Sequence, residues 1–193
     1  MTDLRKVYTE IPEHYERVNR LITLGLDRLW RRLMIEHAIK KAPGGLWLDM
    51  CTGTGEIALM LQERCPDKTR VLAADYSHHM ISQFNKKAHA GSIPKSLANA
   101  YELPFQTNSL SLITTSFATR NLHQSRDHLT LAFKEFHRVL KPGGLYISIQ
   151  SSRPSSAFVD YCFRKFVHWT VEPIGRRISG TGKGYAYLSS SIR

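Results

Sequence analysis

Short apolar runs alternate with stretches of helical spacing through the middle of the chain. The runs, which predict strands, lie at 46–49, 70–75, 96–98, 110–116 and 145–150. Apolar residues three and four apart predict helices at 56–64, 77–89 and 125–140, with Ser77 as the cap of the second. Strands that alternate with helices in this way predict an α/β fold with a Rossmann-like, doubly wound and mostly parallel sheet.

The residues before the first strand carry two further helical patterns, in residues 13–41, divided at Thr23-Leu24-Gly25. In the second pattern, apolar residues share one face: Leu26, Leu29, Trp30, Leu33 and Met34. Basic residues fall largely off that face: Arg28, Arg31 and Arg32. The helix is therefore predicted to be amphipathic and basic. It either packs on its own domain with a solvated basic side or serves as a lid or lipid-facing element.

Length and composition predict a single domain over 1–193, with a helical cap at 1–41, a ligand-binding core at 42–150 and a C-terminal segment at 151–193. No apolar run approaches the roughly 18 residues of a membrane span, and no secretion signal is expected. The three cysteines, which fit neither a disulfide framework nor a zinc site, favour a reducing cytoplasm.

Basic charge is concentrated in the C-terminal segment. The formal net charge is +11, and residues 153–193 hold seven basic and two acidic side chains, whereas 42–124 hold seven and six. An aromatic stretch at 155–170, with Arg164 and Lys165 among its apolar residues, lies in the same segment. No nucleic-acid-binding motif accompanies this charge, so the expected partner is an anionic membrane surface and not nucleic acid.

Candidate chemistry lies where the first two runs end. Asp49 is followed by the turn Gly53-Thr54-Gly55, which leads into a helix. Glycines permit positive φ and close approach of a ligand, while the N–H groups of the first helical turn can bind it. Asp75 ends the second run twenty positions after Gly55, where a carboxylate can hold a ribose diol. The pair predicts a site for an adenosine cofactor.

The glycine spacing alone does not choose that cofactor. Gly53-x-Gly55-x-x-Ala58 also satisfies the dinucleotide pattern, so an NAD-dependent oxidoreductase is an alternative. A turn without a ligand, with Asp75 serving only as a helix cap, is another.

Six blocks in one order are more specific. They are Tyr15-x-x-x-Asn19 with Thr23-x-Gly25-x-x-Arg28-x-Trp30-Arg31, the loop from Asp49 to Gly55, Asn99-Ala100-x-x-Leu103-Pro104-Phe105, Ser116-Phe117-x-x-Arg120-Asn121, Arg138-Val139-Leu140-Lys141-Pro142-Gly143-Gly144, and Tyr187-Leu188-x-x-Ser191-Ile192. In these blocks the chain resembles the UbiE-like family, the S-adenosylmethionine-dependent C-methyltransferases of ubiquinone and menaquinone biosynthesis. The Lys-Pro-Gly-Gly turn is typical of class I methyltransferases, whereas the first block and Arg120-Asn121 are typical of the quinone branch.

The resemblance implies a role for each polar residue that follows a strand. Asp49 would lie under the glycine loop and favour the cationic groups of S-adenosylmethionine electrostatically. The implied contacts are Thr54 with the methionine end, Asp75 with the ribose, Asn99 and Ala100 with the adenine region, and Ser116 with the methionine side beneath the sulfonium. These placements agree with ligand binding outside the carboxyl ends of parallel strands.

The sequence departs from the family pattern at Glu16, Glu56, Ser111 and Gln150. None of these changes removes a group that methyl transfer requires. The family pattern continues beyond Arg193 into a helix and two strands, so the C-terminal strands are expected to be absent and the strand 145–150 to present an unpaired edge. Such an edge favours association between copies of the chain.

Methyl transfer to a ring carbon requires no metal and no covalent enzyme intermediate, so positioning is expected to dominate catalysis. The carbon becomes nucleophilic when an adjacent hydroxyl loses its proton, which requires stabilisation of a phenolate and removal of a proton. Arg120 is the candidate for the first task because its guanidinium stays protonated. His123 and Tyr15 are candidates for the second, and an exposed loop histidine is the alternative for His123.

The resemblance therefore implies methylation of a polyprenylated hydroquinone, either a demethylmenaquinol or a methoxy-benzoquinol. The lipid tail of such a substrate suits an enzyme of the cytoplasm that is peripheral on the inner face of the membrane, with 1–41 and 151–193 as substrate and lipid-facing regions. A non-catalytic cofactor-binding scaffold is the alternative outside the enzymes.

Overall fold

The computed structural model describes residue 20 and residues 23–123, 125–151, 155–166 and 168–169. The chain divides into two compact units. Residues 30–150 form the unit that contains the sheet, and residues 1–29 with 151–193 form the other.

Helices and strands alternate through the sheet-containing unit, as the apolar pattern predicts. In chain order the elements are α1 (Leu26–Lys41), β1 (Leu46–Met50), α2 (Glu56–Arg64), β2 (Arg70–Asp75), α3 (His78–Asn85), a 3₁₀ turn (Ala90–Ser92), β3 (Lys95–Leu97), β4 (Leu110–Ser116), α4 (Thr119–Leu122), α5 (Arg126–Val139), β5 (Leu140–Ile149) and α6 (Ala157–Phe166).

The strands form one parallel sheet in the order β3-β2-β1-β4-β5. At its centre, Asp49 of β1 is in register with Ala73 of β2 and Thr114 of β4. The predicted Rossmann-like, doubly wound sheet is therefore confirmed. Successive strands are added on one side of β1 as far as β3 and then on its other side from β4 onward. The two connections therefore diverge between β1 and β4, and a crevice opens at the carboxyl ends of these two strands.

Both faces of β1 are buried, because neighbouring residues of a strand point to opposite sides of the sheet. Trp47 belongs to a core layer that includes Ile35 of α1 and Leu61 of α2, whereas Leu48 belongs to a layer with Phe136 of α5. All five side chains are fully buried or nearly so. This two-sided packing leaves the strand ends as the place where polar side chains of the sheet reach a ligand.

Two elements have bounds that differ from the predicted ones. α3 stops at Asn85 rather than His89, which has positive φ and precedes the 3₁₀ turn. β5 begins at Leu140, so the Lys-Pro-Gly-Gly turn lies inside the strand. The register shifts there, because Leu140 pairs with Leu110 but Leu145 pairs with Leu112, which identifies a bulge.

The buried face of α1 differs from the predicted one. Leu29 is 50% exposed and Leu33 53%, whereas Arg31 is only 8% exposed. The residues that α1 buries are Asp27, Arg31, Met34, Ile35 and Ala38. The expectation that Arg31 falls off the buried face is therefore wrong. The stripe that contains Arg31 also repeats at helical spacing, and the buried Arg31 charge is paired with Glu56.

Helix α6 covers the centre of the aromatic stretch predicted at 155–170, and several of its apolar side chains are exposed. Phe158 is 75% exposed and Tyr161 59%, while Asp160 is buried and forms an ion pair with Arg164. The helix thus presents aromatic side chains outward within the part of the chain that the structure describes.

The start of α2 yields a test of packing. Gly55 has a φ of +83°, and a Cβ there would lie 2.3 Å from the Phe84 ring. We expect Gly55→Ala to lower the free energy of unfolding by about 2–4 kcal/mol, because it adds overpacking to backbone strain. Denaturant unfolding of the protein without ligand measures the change.

Gly53→Ala is the matched control. Gly53 also has positive φ, but a Cβ there would meet no heavy atom within 4 Å, so only backbone strain of about 1–2 kcal/mol is expected. Equal losses for the two variants would contradict the packing argument.

Candidate active site

The candidate cofactor residues lie at or near the carboxyl ends of the strands. The loop with Gly53 follows β1, Asp75 ends β2, Asn99 follows β3 and Ser116 ends β4. Because β1 to β4 are parallel neighbours, these ends share one edge of the sheet. The structure therefore brings together residues that lie far apart in the sequence, in the crevice where ligands of such sheets bind.

The glycine loop is held by backbone hydrogen bonds and by Asp75. The Thr52 N–H donates to the Ala74 carbonyl at 3.0 Å, and the Gly55 N–H donates to the Thr52 carbonyl at 2.9 Å. The Gly53 N–H donates to Asp75 Oδ2 at 2.8 Å. This loop is therefore fixed in shape by β2 as well as by its own turn.

The Asp75 carboxylate accepts hydrogen bonds from backbone N–H groups, among them those of Ser77 and Gly53. Its Oδ1 accepts the Ser77 N–H at 2.8 Å, and its Oδ2 accepts that of Gly53. The cap of α3 is Ser77 itself, whose hydroxyl accepts the Met80 N–H. Asp75 is thus not merely a helix cap. Burial raises its pKa, and the hydrogen bonds from Ser77 and Gly53 act in the opposite direction.

Asp49 lies beneath the loop and is fully buried. Its Oδ2 accepts the Thr52 hydroxyl at 2.6 Å, and its Oδ1 accepts the Thr114 hydroxyl at 2.8 Å. Removal from water raises the pKa of Asp49 to about 6, against the lowering effect of these hydroxyls and of the Arg31 charge. Its carboxyl therefore supports the loop through Thr52 and ties β1 to β4 through Thr114.

A short loop after β3 carries Asn99 and Ala100. The Tyr101 N–H donates to Asn99 Oδ1 at 3.1 Å, which makes a local turn, and Ala100 is buried. The Tyr101 hydroxyl donates to the Leu122 carbonyl at 3.1 Å. The loop is therefore tied to α4, the helix that carries Arg120.

Ser116 and Thr54 border the crevice from β4 and from the glycine loop. Thr54 is buried, and the Ser116 hydroxyl oxygen is buried without a hydrogen bond to any residue that the structure describes. Phe117, which follows, has a φ of +55°, a conformation rarely adopted by aromatic residues. Such strain beside a buried polar atom is typical of ligand sites.

Two of the three candidate catalytic residues lie in the part of the chain that the structure describes. Arg120 and His123 are both exposed, on α4 and directly after it, so both lie next to the end of β4. The exposure of His123 agrees equally with the alternative of a loop histidine. Tyr15 lies outside the described residues.

A charged cluster at the start of α2 was missed by the sequence reasoning. Arg31 Nη1 lies 3.8 Å from Glu56 Oε2, and Lys87 forms an ion pair with the same carboxylate. The Arg31 guanidinium also lies over the Phe117 ring, 5.8 Å from its centroid. Arg31 belongs to the first of the six sequence blocks, which was a signal that it has a role. The helical pattern placed Arg31 off the apolar face, so a buried ion pair was not expected there.

The residues present fit an adenosine cofactor that carries a methionine. A Cβ at Gly53 would meet only open space, which leaves room for a ligand against the backbone. The half-buried Asp75 carboxylate can accept a further hydrogen bond from a ribose hydroxyl, and Ser116 offers an unsatisfied hydroxyl. Among the described residues, no group of His, Cys, Asp and Glu could hold a metal ion.

The chain is similar to proteins that are named as methyltransferases. It is 33% identical over 188 residues to a demethylmenaquinone methyltransferase of Thermus thermophilus, covering 96% of this chain and 83% of the relative. It is 31% identical over 193 residues to a ubiquinone/menaquinone biosynthesis C-methyltransferase UbiE of Geotalea daltonii, covering 98% and 80%.

Solved structures support the fold. An S-adenosylmethionine-dependent methyltransferase from Clostridium acetobutylicum superposes with a TM-score of 0.61 at 22% identity, over 73% of this chain and 57% of that one. The match thus spans little more than half of that solved chain.

The sequence profile of the ubiE/COQ5 methyltransferase family matches residues 2–193. The chain belongs to the ubiE/COQ5 methyltransferase family.

Proposed function

We propose that the chain is an S-adenosylmethionine-dependent C-methyltransferase that methylates a ring carbon of a polyprenylated hydroquinone in menaquinone or ubiquinone biosynthesis. The substrate is a demethylmenaquinol, a methoxy-benzoquinol or both. The observation that carries this proposal is the gathering of Gly53, Asp75, Asn99 and Ser116 at one sheet edge, in a chain whose relatives carry names for this chemistry.

Cofactor binding in this proposal uses the residues at the carboxyl edge. Asp75 accepts the ribose hydroxyls, Asn99 and Ala100 border the adenine, and Ser116 and Thr54 bind the methionine part. Gly53 allows close approach of the ligand to the loop, whereas the space beside Gly55 is filled by Phe84, and the Asp49 charge favours the cationic groups. When bound, S-adenosylmethionine supplies an electrophilic methyl group on its sulfonium.

The protein's task on the quinol is to make the ring carbon nucleophilic and to hold it in line. Arg120 stabilises the phenolate that forms when the adjacent hydroxyl loses its proton. His123 or Tyr15 receives a proton, directly or through water. Because no covalent bond to the enzyme forms, orientation of the ring supplies much of the rate.

The lipid tail of such a substrate calls for access to a bilayer. In the described part of the chain, no helix has the length and apolar character to span one. Three features support peripheral binding at the anionic inner face: the exposed aromatic side chains of α6, the exposed Lys165 of the same helix, and the basic excess of 153–193. Association between copies of the chain is a further expectation that this proposal retains.

A methyl-transfer assay tests the proposal. S-adenosylmethionine with a tritiated methyl group is incubated with the protein and with each of the two demethylated quinols, and label in the lipid phase is counted. Transfer to one quinol alone identifies the ring. Calorimetry that detects NAD but not S-adenosylmethionine would support an oxidoreductase, and cofactor binding without transfer would support a non-catalytic scaffold.

Arg120→Ala tests the phenolate assignment. We expect turnover to fall roughly a hundredfold or more, with affinity for S-adenosylmethionine within about threefold, because the lost charge acts mainly in the transition state. Single-turnover transfer and calorimetry measure the two quantities. Arg64→Ala, which removes an exposed arginine from the end of α2, is the control and should retain normal turnover. Near-normal turnover in Arg120→Ala would refute the assignment.

Asp49 predicts a pH dependence of cofactor affinity. A bound cation favours the ionised carboxylate, so affinity should rise with pH as Asp49 ionises near its pKa of about 6 and should fall several-fold by about pH 5. Calorimetry of S-adenosylmethionine across this range measures the effect. In Asp49→Asn the dependence should be reduced, whereas the exposed Asp67→Asn should behave as the unaltered protein. An unchanged pH profile in Asp49→Asn would contradict the electrostatic role.

The membrane proposal predicts co-sedimentation with vesicles. Binding should require anionic lipid and weaken as salt is added, because surface attraction is screened over about 10 Å at 0.1 M. Replacing both Phe158 and Tyr161 by Ser should reduce binding further, since both side chains are exposed. Sedimentation that is independent of lipid charge and salt would show the proposal to be wrong.

A further inference from the structure

A pair of charged side chains on α5 grips the loop that follows β3. Arg138 donates to Glu135 through Nε to Oε1 at 2.8 Å and through Nη2 to Oε2 at 2.7 Å. The two residues are one turn apart, and this two-point contact fixes the orientation of both side chains. Hydrogen bonding to Arg138 also lowers the pKa of Glu135, so the carboxylate stays charged.

Both members of the pair also bind backbone groups of the loop. Glu135 Oε2 accepts the Leu103 N–H at 2.9 Å. Arg138 donates to the Phe105 carbonyl through Nη1 at 2.9 Å and to the Leu103 carbonyl through Nη2 at 3.0 Å. Three backbone groups of the loop are thus bound by side chains that lie more than thirty positions later in the chain.

The loop in question is the one that carries Asn99 and Ala100. It is short, and the Glu102 N–H donates to the Asn99 carbonyl at 3.0 Å, so a displacement of Leu103 is transmitted to Asn99 through a single turn. Leu103 is buried, and its N–H has the Glu135 carboxylate as its acceptor. Without the pair, the loop would lose the three hydrogen bonds that hold its backbone against α5.

We infer that Glu135 and Arg138 are positioning residues for the cofactor, which set the place of the adenine-binding loop without touching the ligand. The inference rests on the proposed function, since it assigns the loop to adenine. Arg138 suits this task because its planar guanidinium binds a carboxylate and two carbonyls at fixed angles, which the single ammonium group of lysine does not reproduce.

Arg138→Lys is the first test, because it keeps the positive charge and removes the planar guanidinium that binds several acceptors at once. Affinity for S-adenosylmethionine, measured by calorimetry, should fall about tenfold. The turnover number at saturating cofactor should stay within about twofold, because the loop is restored to its place once the ligand is bound. Arg32→Lys makes the same change in the exposed Arg32–Glu36 pair, whose N–O distance is 2.9 Å, and should change neither quantity.

A double-mutant cycle separates positioning from a general effect on stability. If Arg138 acts through the loop, Arg138→Lys should weaken binding much less in an Asn99→Ala background than in the unaltered protein. A general loss of stability would instead give independent effects that multiply. The inference would be overturned if the losses of affinity in Arg138→Lys and Asn99→Ala multiplied fully in the double variant. It would also be overturned if Arg138→Lys left the affinity unchanged, with or without a loss of turnover.

Glu135→Gln provides a second route if Arg138→Lys does not fold. The Gln side chain keeps an acceptor for Leu103 but loses the charge that binds Arg138, so the same fall in affinity, with protected turnover, is expected. Amide hydrogen exchange at Leu103 should accelerate in this variant. If the unaltered protein binds no S-adenosylmethionine, the proposed function is refuted. Accelerated exchange at Leu103 would even then show that Glu135 holds the loop. Unchanged exchange and affinity in Glu135→Gln would overturn the inference itself.

Discussion

The removal of β1 from water on both faces is the constraint on which the rest of the structure depends. Its alternate side chains, such as Trp47 and Leu48, enter two separate core layers that helices cover. Each fully buried large apolar side chain contributes about 1.5–3 kcal/mol. Since no polar group can reach solvent through these layers, polar residues of the sheet can serve a ligand only at its ends, and the position of the site follows from packing.

Buried carboxylates at those ends shape the site. Burial opposes the charge of Asp49 and Asp75, and each accepts hydrogen bonds both from a residue close in sequence and from a distant one. The Thr114 hydroxyl that reaches Asp49 belongs to β4, so the pairing of β1 with β4 also completes the polar layer under the loop. Packing of the sheet and electrostatics of the crevice are therefore parts of one arrangement.

Much of the fold follows from local pattern, and the missed features are those that depend on distant residues. The bounds of α2, β2 and β4 were predicted because each has a single apolar pattern between clear turn signals. In α1 two stripes compete, and the choice between them depends on a partner such as Glu56, which the helix pattern does not contain. The grip of Glu135 on Leu103 was likewise beyond the sequence, because only the folded chain brings them together.

The two backbone bonds to Asp75 bear on redesign of the site. The same carboxylate fixes the Gly53 N–H and the Ser77 N–H, so the turn holds its shape whether or not a nucleoside is present. In dinucleotide-binding folds, the acidic residue about twenty positions after the glycines contacts the ribose and so influences which nucleotide is bound. In this chain a substitution of Asp75 would also remove the support of the glycine turn, so an engineered change of cofactor would first have to provide another acceptor for Gly53.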